Sequence, residues 1–145
     1  MSGGFVLTAA LNNGTVAKQS PDISGLLAKM SIQLSPSQAL HLWHSATLRL
    51  VRSDAPDLTL RQLSILLHIY LVPPPHTVRG LAATLDVTKP VITRALDSMG
   101  ALGLVRRTRD ARDRRNVIIQ RTVEGALYLE KLGDIIIDEG RELSL

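Results

Sequence analysis

The sequence contains no cysteine, which excludes disulfide bonds, zinc–thiolate sites and thiol-based redox sensing within this chain. Aromatic residues are also scarce, at 3% of the chain. They are Phe5, Trp43, Tyr70 and Tyr128. Proteins that bind RNA or single-stranded DNA stack the bases on aromatic side chains, so this scarcity argues against both classes.

Long apolar runs are missing too. No stretch approaches the ~20 residues that a membrane-spanning helix needs, so we expect no membrane partner. The first residues, MSGGFVLTAALNNG, have no basic residue before their short apolar run, unlike a secretory signal peptide. We therefore expect a cytoplasmic protein, and the lack of compartment signals fits a bacterium.

Signatures of catalysis are absent from the sequence. It shows no nucleophile–base–orienter set, glycine-rich phosphate loop or paired-carboxylate motif, so we predict no enzyme activity and no cofactor. His41 and His44 have a spacing that metal ligands can use on a helix. Because no cysteine or acidic residue lies in register with them, we interpret both as surface or interface histidines and predict no metal site.

Positive charge is concentrated in one part of the chain. The 145 residues, 45% hydrophobic and 21% charged, fit one globular domain, with or without an arm, and carry a net charge of +4. The segment Thr77–Arg121 holds ten basic and four acidic residues, a net charge of +6. A surface of this kind is suited to a polyanion.

The N-terminal part divides into an arm and a helix. Residues 1–35 are rich in glycine and asparagine, and they predict either a disordered arm or an arm with a short helix at Ile23–Leu34. Ser35 and Pro36 then provide the cap and first position of a helix that ends before the Asp54–Asp57 break.

Two capped helices follow. Thr59 starts a helix with a wide apolar stripe, and the prolines of Val72–Pro75 end it. Thr77 caps a short helix at Val78–Leu85, which leads to a tight turn at Asp86-Val87.

Thr88 is the predicted cap of the next helix, Pro90 is tolerated in its first turn, and Gly103 is the predicted left-handed residue after its end. Its inner face is apolar and its outer face is mostly hydrophilic and cationic. The outer residues are Lys89, Val91, Thr93, Arg94 and Ser98.

A charged hairpin comes next. Leu104–Thr108 and Val117–Arg121 have short strand patterns, and the intervening Arg109–Asn116 is too charged for a core. Thr122 caps a last helix that extends to about Glu142. The predicted fold is therefore mainly α with a small β-hairpin wing (α+β), a winged helix-turn-helix over residues 58–121. Its second helix, residues 88–101, would enter the major groove of DNA.

The residues of this core also resemble a known family. VRGLAATLDVTKPVITRALDSMGALGLVRRTRDARDRRNVII is similar to the DNA-binding core of the multiple-antibiotic-resistance regulator (MarR) family, and the resemblance covers about Leu58–Gly125. Its specific parts are VTKPVITRALDSMGALGLV and RDARDRR, in which Asp113 and Arg115 form an Asp-x-Arg pair.

The resemblance implies DNA-facing residues on the helix, namely Thr88, Lys89, Val91, Thr93, Arg94 and Ser98. Arg94 is the best candidate for a base contact, because a bidentate arginine–guanine pair discriminates by roughly 1–3 kcal/mol. Val91 occupies a place where polar residues are common and could touch a thymine methyl group. Ser98 stands where a longer basic residue often holds a phosphate.

The resemblance also implies that the wing, residues 109–116, reaches the minor groove. The residues concerned are Arg109, Arg112, Asp113, Arg114 and Arg115. Arg114 or Arg115 would insert, with Asp113 as the orienting partner. The alternative is a solvated charge cluster that contacts only phosphates.

Members of the family bind DNA as two-fold dimers, usually through the first helix and two C-terminal helices. After the wing, this sequence leaves room for one helix of about twenty residues instead of two. Ile23–Leu34 is therefore the candidate for the remaining dimer contacts. We predict dimerisation through residues 36–57 and 122–145. The predicted interface residues are Trp43, Leu129, Leu132, Ile135 and Ile136.

The sequence thus predicts a homodimeric, nucleoid-associated regulator that binds double-stranded DNA at specific sequences and represses transcription. A small amphipathic or aromatic effector would release it. The alternative is a protein-interaction adaptor that keeps the winged-helix fold without specific DNA binding, using residues 36–52 and 122–142. The clustered arginines argue against this alternative, because an adaptor would have no need of them.

Overall fold

The computed structural model describes residues 33–143, which contain five α-helices and three short strands. In chain order these are α1 (Pro36–Val51), α2 (Leu60–Leu71), β1 (His76–Thr77), α3 (Val78–Leu85), α4 (Lys89–Ala101), β2 (Val105–Arg109), β3 (Val117–Arg121) and α5 (Val123–Glu142). The predicted fold class, mainly helical with a β-wing, is confirmed. The predicted arm, including almost all of Ile23–Leu34, lies outside the described residues.

Side-chain caps define where most of the helices begin. Ser35 and Thr59 each form a capping box, in which the hydroxyl accepts the backbone N–H three residues on and a glutamine reaches back. Thr77 and Thr122 accept from the N–H groups of Gly80 and Gly125, both at 3.0 Å.

Thr88 departs from its predicted role. It occupies the N-cap position of α4, but its hydroxyl makes no capping hydrogen bond. The N–H of Val91, which such a hydroxyl would accept, donates to the Thr88 carbonyl at 3.1 Å instead. Pro90 has no N–H, so the first turn of α4 has one fewer donor for a side-chain cap to satisfy.

Two backbone turns set the direction of α4. Asp86 ends α3 in the left-handed region, with φ 51° and ψ 49°, which aspartate tolerates better than most residues. After α4, Gly103 has φ 74°, as predicted; its N–H donates to the Gly100 carbonyl, and Leu104 donates to Met99. This Schellman arrangement sends the chain directly into β2.

The sheet has three antiparallel strands in the order β1-β3-β2. β3 was predicted with its observed bounds, while β2 is shifted by one residue from the predicted Leu104–Thr108. β1 was missed, because two residues are too short to show alternation. It pairs His76 with Ile119 and Thr77 with Ile118, so the wing is hydrogen-bonded to the segment that begins α3.

The core lies between the helix-turn-helix and the sheet. Its largest fully buried side chains are Ile65, Leu66, Ile69, Leu81, Ile92, Leu96, Met99 and Ile119. The Tyr70 hydroxyl joins this core to α5, because it accepts the N–H of Thr122 at 2.9 Å and donates to that residue's carbonyl at 2.8 Å.

The predicted apolar interface stripe on α5 is wrong in part. Leu132 and Ile135 are only 6% and 5% exposed, and Leu129 and Ile136 are half-buried. Leu132 belongs to this chain's own core, and Leu129 and Ile136 pack against it. Helix α1 contacts α5, and Arg49 of α1 pairs with Glu139 at 3.1 Å. The exposed large apolar residues of the two helices are instead Leu40, Trp43 and Val51 of α1 and Val123, Leu127 and Ile137 of α5.

Within residues 33–143, no helix combines the length and hydropathy that crossing a membrane would require.

Candidate nucleic-acid interface

The residues predicted to face the major groove lie together on the outer face of α4. Thr88, Lys89, Arg94 and Ser98 are exposed, and Val91 and Thr93 are half-buried. On the other side of the helix, Ile92, Ala95, Leu96 and Met99 are buried in the core. The core therefore fixes the rotation of α4, and the cationic side remains outward.

Sequence reasoning missed one neighbour of this face. A shallow cleft between the start of α2 and α4 is lined by Thr59, Arg61, Gln62, Val91, Arg94 and Ala95. Arg61 thus adds a further exposed cation beside Arg94. No spacing in the sequence links the two, since the fold alone brings these helices together.

The wing tip is ordered by two aspartates. The loop closes where the N–H of Asp110 donates to the Asn116 carbonyl at 2.9 Å. The Asp110 carboxylate accepts the backbone N–H of Arg112 at 2.9 Å, and the Asp113 carboxylate accepts that of Arg115 at 3.0 Å. The repeated Asp-x-Arg spacing of the sequence therefore produces two successive Asx turns.

Asp113, the predicted orienting partner of the wing arginines, acts on the backbone of the turn. Its carboxylate holds the backbone of Arg115 and the side-chain amide of Asn116, at 3.3 Å, rather than a guanidinium group. Among the residues described, no carboxylate pairs with the wing-tip arginines, all of which are exposed. They are Arg109, Arg112, Arg114 and Arg115. Their charge is available to an external anion.

Two other arginines of the basic segment are used inside the domain. Arg121 donates to the carbonyls of Ile69 and Val72 at 2.9 and 3.2 Å and stacks on the Tyr70 ring, closing the end of α2. Arg107 donates to the Asp97 carboxylate at 2.6 Å and to the Thr93 carbonyl at 2.9 Å. Net charge alone could not separate these hydrogen-bonded arginines from the unpaired arginines of the wing tip.

The histidines are not among the predicted DNA-facing residues. His41 and His44 are exposed on α1, and residues 33–143 contain no group of three potential metal ligands. His76 is 5% exposed, and its ring meets that of His68 edge-on, with centroids 5.6 Å apart. Burial, and then the nearby His68, lower the pKa of His76.

Known proteins resemble this chain in sequence and in fold. The profile of the MarR family matches residues 57–116. No curated protein matches the chain.

Three solved structures illustrate the structural likeness. A mutant MepR of S. aureus bound to an oligodeoxyribonucleotide is 22% identical, with a TM-score of 0.64, over 83% of this chain and 80% of that one. BldR of Sulfolobus solfataricus is 27% identical, with a TM-score of 0.53, over 83% and 78%. CouR of Rhodococcus jostii, bound to p-coumaroyl-CoA, is 26% identical, with a TM-score of 0.54, over 85% and 78%.

The profile match covers the helices, the turn and the wing whose geometry is described above. The structural matches cover more of the chain than residues 57–116. Residues 57–116 therefore match the model of the MarR family, and the described part of the chain has the winged helix-turn-helix fold of these solved structures.

Proposed function

We propose that this protein is a sequence-specific, double-stranded DNA-binding regulator that represses transcription by occupying a promoter. The observation that carries the proposal is the pairing of two exposed cationic surfaces in one domain. One is the outer face of α4; the other is the wing tip, where aspartates order the loop and leave four guanidinium groups unpaired. The chromosome of a bacterial cytoplasm would be its place of action.

In this proposal α4 occupies the major groove, whose width admits a helix. Arg94 reads a guanine, while Thr88, Lys89, Thr93 and Ser98 contact the backbone or base edges. Val91 is half-buried beside Arg94 in the cleft with α2 and offers its methyl groups to a thymine.

The wing occupies the minor groove in this proposal. Arg114 or Arg115 inserts there, and Arg109 and Arg112 contact phosphates. The two Asx turns support this arrangement, because they hold the wing backbone in a defined shape before DNA arrives.

A second copy of the chain completes the proposed binding unit, since a palindromic site is read by two symmetric helices. The exposed apolar side chains of α1 and α5, including Trp43 and Leu127, are the candidate contacts. Trp43 is also an interface residue predicted from the sequence, whereas the predicted Leu132 and Ile135 are buried within the chain.

A small amphipathic or aromatic effector is the proposed regulator of DNA binding. A groove between the wing base and α5 is lined by the ring of Tyr70, the apolar Val123 and Leu127, and the cations Arg106 and Arg121. Its volume of about 710 Å³ falls within the range of small-molecule sites.

The rival function is an adaptor that binds another protein through the exposed apolar residues of α1 and α5. A gel-shift survey of genomic fragments, beginning with the DNA upstream of the protein's own gene, separates the two. A retarded fragment that resists random competitor DNA supports the regulator. Failure to retard any fragment above random DNA contradicts it and favours the adaptor.

A further inference from the structure

The side chain of Arg107 connects the wing to the helix that is proposed to read DNA. Arg107 lies on β2, the first strand of the wing, and its guanidinium reaches across to α4. Nη1 donates to the Asp97 carboxylate at 2.6 Å, and Nη2 donates to the Thr93 carbonyl at 2.9 Å. The two acceptors lie one helical turn apart, so the single guanidinium group forms hydrogen bonds at both ends of one turn of α4.

This contact is poorly suited to a purely stabilising role. The side chains of Arg107 and Asp97 are 35% and 58% exposed, and ion pairs this open to solvent contribute little to folding. A two-pronged guanidinium is, however, geometrically restrictive, because both hydrogen bonds form only in one relative placement of donor and acceptors. The contact therefore restricts position more than it adds stability.

The position that it restricts is that of the wing relative to α4. The base of the wing is held by the hydrogen-bonded Leu102–Leu104 turn and by the pairing of β3 with β1. The Arg107 contact is a further attachment, made by a side chain of β2 directly to α4, and it ends at the carbonyl of Thr93, next to Arg94. It therefore constrains the wing relative to the helix that carries Arg94.

We propose that Arg107 is a positioning residue, which with Asp97 as its partner holds the wing at the angle needed for α4 and the wing tip to enter adjacent grooves together. The consequence for DNA binding rests on the proposed function. Its structural part, the fixed angle between wing and helix, holds with or without DNA.

The opposing interpretation makes Arg107 one more phosphate contact, with Asp97 as an accidental neighbour. The two interpretations differ in sign for Asp97→Ala. A phosphate-contacting Arg107 would be freed by that change, and a negative charge near DNA would be lost, so binding would tighten. A positioning Arg107 would lose its anchor, so binding would weaken. They differ again for Arg107→Lys, which keeps the charge but cannot grip two acceptors.

The test measures the distance between two spin labels, one in the wing and one on α4. Because the chain has no cysteine, Ala111→Cys in the wing and Ala101→Cys at the end of α4 give two unique labelling sites, both at exposed residues. We expect a narrow distance distribution in the DNA-free parent protein. It should broaden in Arg107→Ala, Arg107→Lys and Asp97→Ala. The adjacent Arg106→Ala is the matched control, because Arg106 bonds Gln120 across the sheet and not α4. An unchanged distribution in Arg107→Ala overturns the proposal.

DNA binding of the same variants, without labels, supplies the functional half. Arg107→Ala and Arg107→Lys should each lose about tenfold in affinity for the specific site, in line with hydrogen bonds to charged groups. Hydroxyl-radical protection under the wing should fade while protection of guanine N7 under α4 persists. Full affinity in Arg107→Lys, or tighter binding by Asp97→Ala, contradicts the proposal. If the parent binds no specific site but the label distances still broaden, the DNA-binding function fails while the fixed wing angle is upheld.

Discussion

The two aspartates of the wing act on the backbone, which changes what their substitution should do. Because the Asp113 carboxylate accepts the N–H of Arg115, removing it releases the turn that presents the arginines. Asp113→Ala should therefore weaken DNA binding, although it removes a negative charge near a polyanion. Asp113→Asn keeps an acceptor that can form the same turn without the charge, and should bind at least as tightly as the parent. Fluorescence anisotropy decides: tighter binding by both variants would show that repulsion, not turn geometry, governs Asp113.

Arg94 is the residue on which specificity should depend. Its exposed position on the outer face of α4, beside the cleft with Val91, suits a base contact. Arg94→Ala should cost roughly 1–3 kcal/mol on the specific site and much less on random duplex. Arg109→Ala in the wing is the comparison, with similar losses on both DNAs. Equal losses for Arg94→Ala would make Arg94 a phosphate contact.

Among the elements, α5 depends on a close approach at its first turn. A Cβ on Gly125 would overlap the Tyr70 hydroxyl and the Leu104 carbonyl, the latter a backbone atom that cannot move freely. Gly125→Ala should therefore lower the free energy of unfolding by about 1–3 kcal/mol, as overpacking does. Gly133→Ala, in the same helix with nothing near its Cβ position, should be neutral or stabilising by up to about 1 kcal/mol. Urea denaturation measures both, and equal effects would refute the close approach.

The short strand β1 contains a pH-sensitive group. Burial of His76, beside His68 and Arg121, lowers its pKa in the folded state. Above the unfolded pKa of about 6.5 the ring is neutral in both states; below it the unfolded chain takes up a proton that the folded chain resists. Stability should therefore fall as pH drops from 7 towards 5, and His76→Gln should reduce that slope. Urea denaturation midpoints measured between pH 7 and pH 5 give this slope, and His41→Gln, at an exposed histidine, is the control. A slope of stability against pH that is unchanged in His76→Gln would show that His76 is not its cause.

The elements that the sequence predicted correctly are those whose signals are local. Threonine and serine caps, proline stops and Gly103 identified the helices, because each acts within one or two turns of chain. Contacts distant in sequence were not visible. The pair Arg107 and Asp97 arises only after Gly103 folds β2 back along α4, and β1 is too short to show a period. The apolar face of α5 was recognised, but periodicity does not reveal that α1 and the core of the same chain cover it.

At the scale of the whole molecule, the reading of a palindromic site requires two copies of the chain. Leu40 and Trp43 of α1 are 69% and 48% exposed, and Leu127 and Ile137 of α5 are more than half exposed. These apolar side chains are the candidates for burial against a second copy of the chain. We expect a dimer at micromolar concentration by light scattering. Trp43→Ala should raise the dimer dissociation constant, whereas Leu60→Ala, at a residue that is 70% exposed at the start of α2, should not. A parent protein that is monomeric at this concentration would contradict the model of a palindromic site.

The most direct test of the central claim is the affinity of the intact protein for a site recovered from its own genome, compared with a scrambled duplex, over a series of salt concentrations. The account predicts a specific affinity about 10³-fold or more above the scrambled duplex. It also predicts a steep fall of both affinities with salt, because the unpaired wing arginines displace counterions from phosphates. Equal affinity for the two duplexes at every salt concentration would contradict the account.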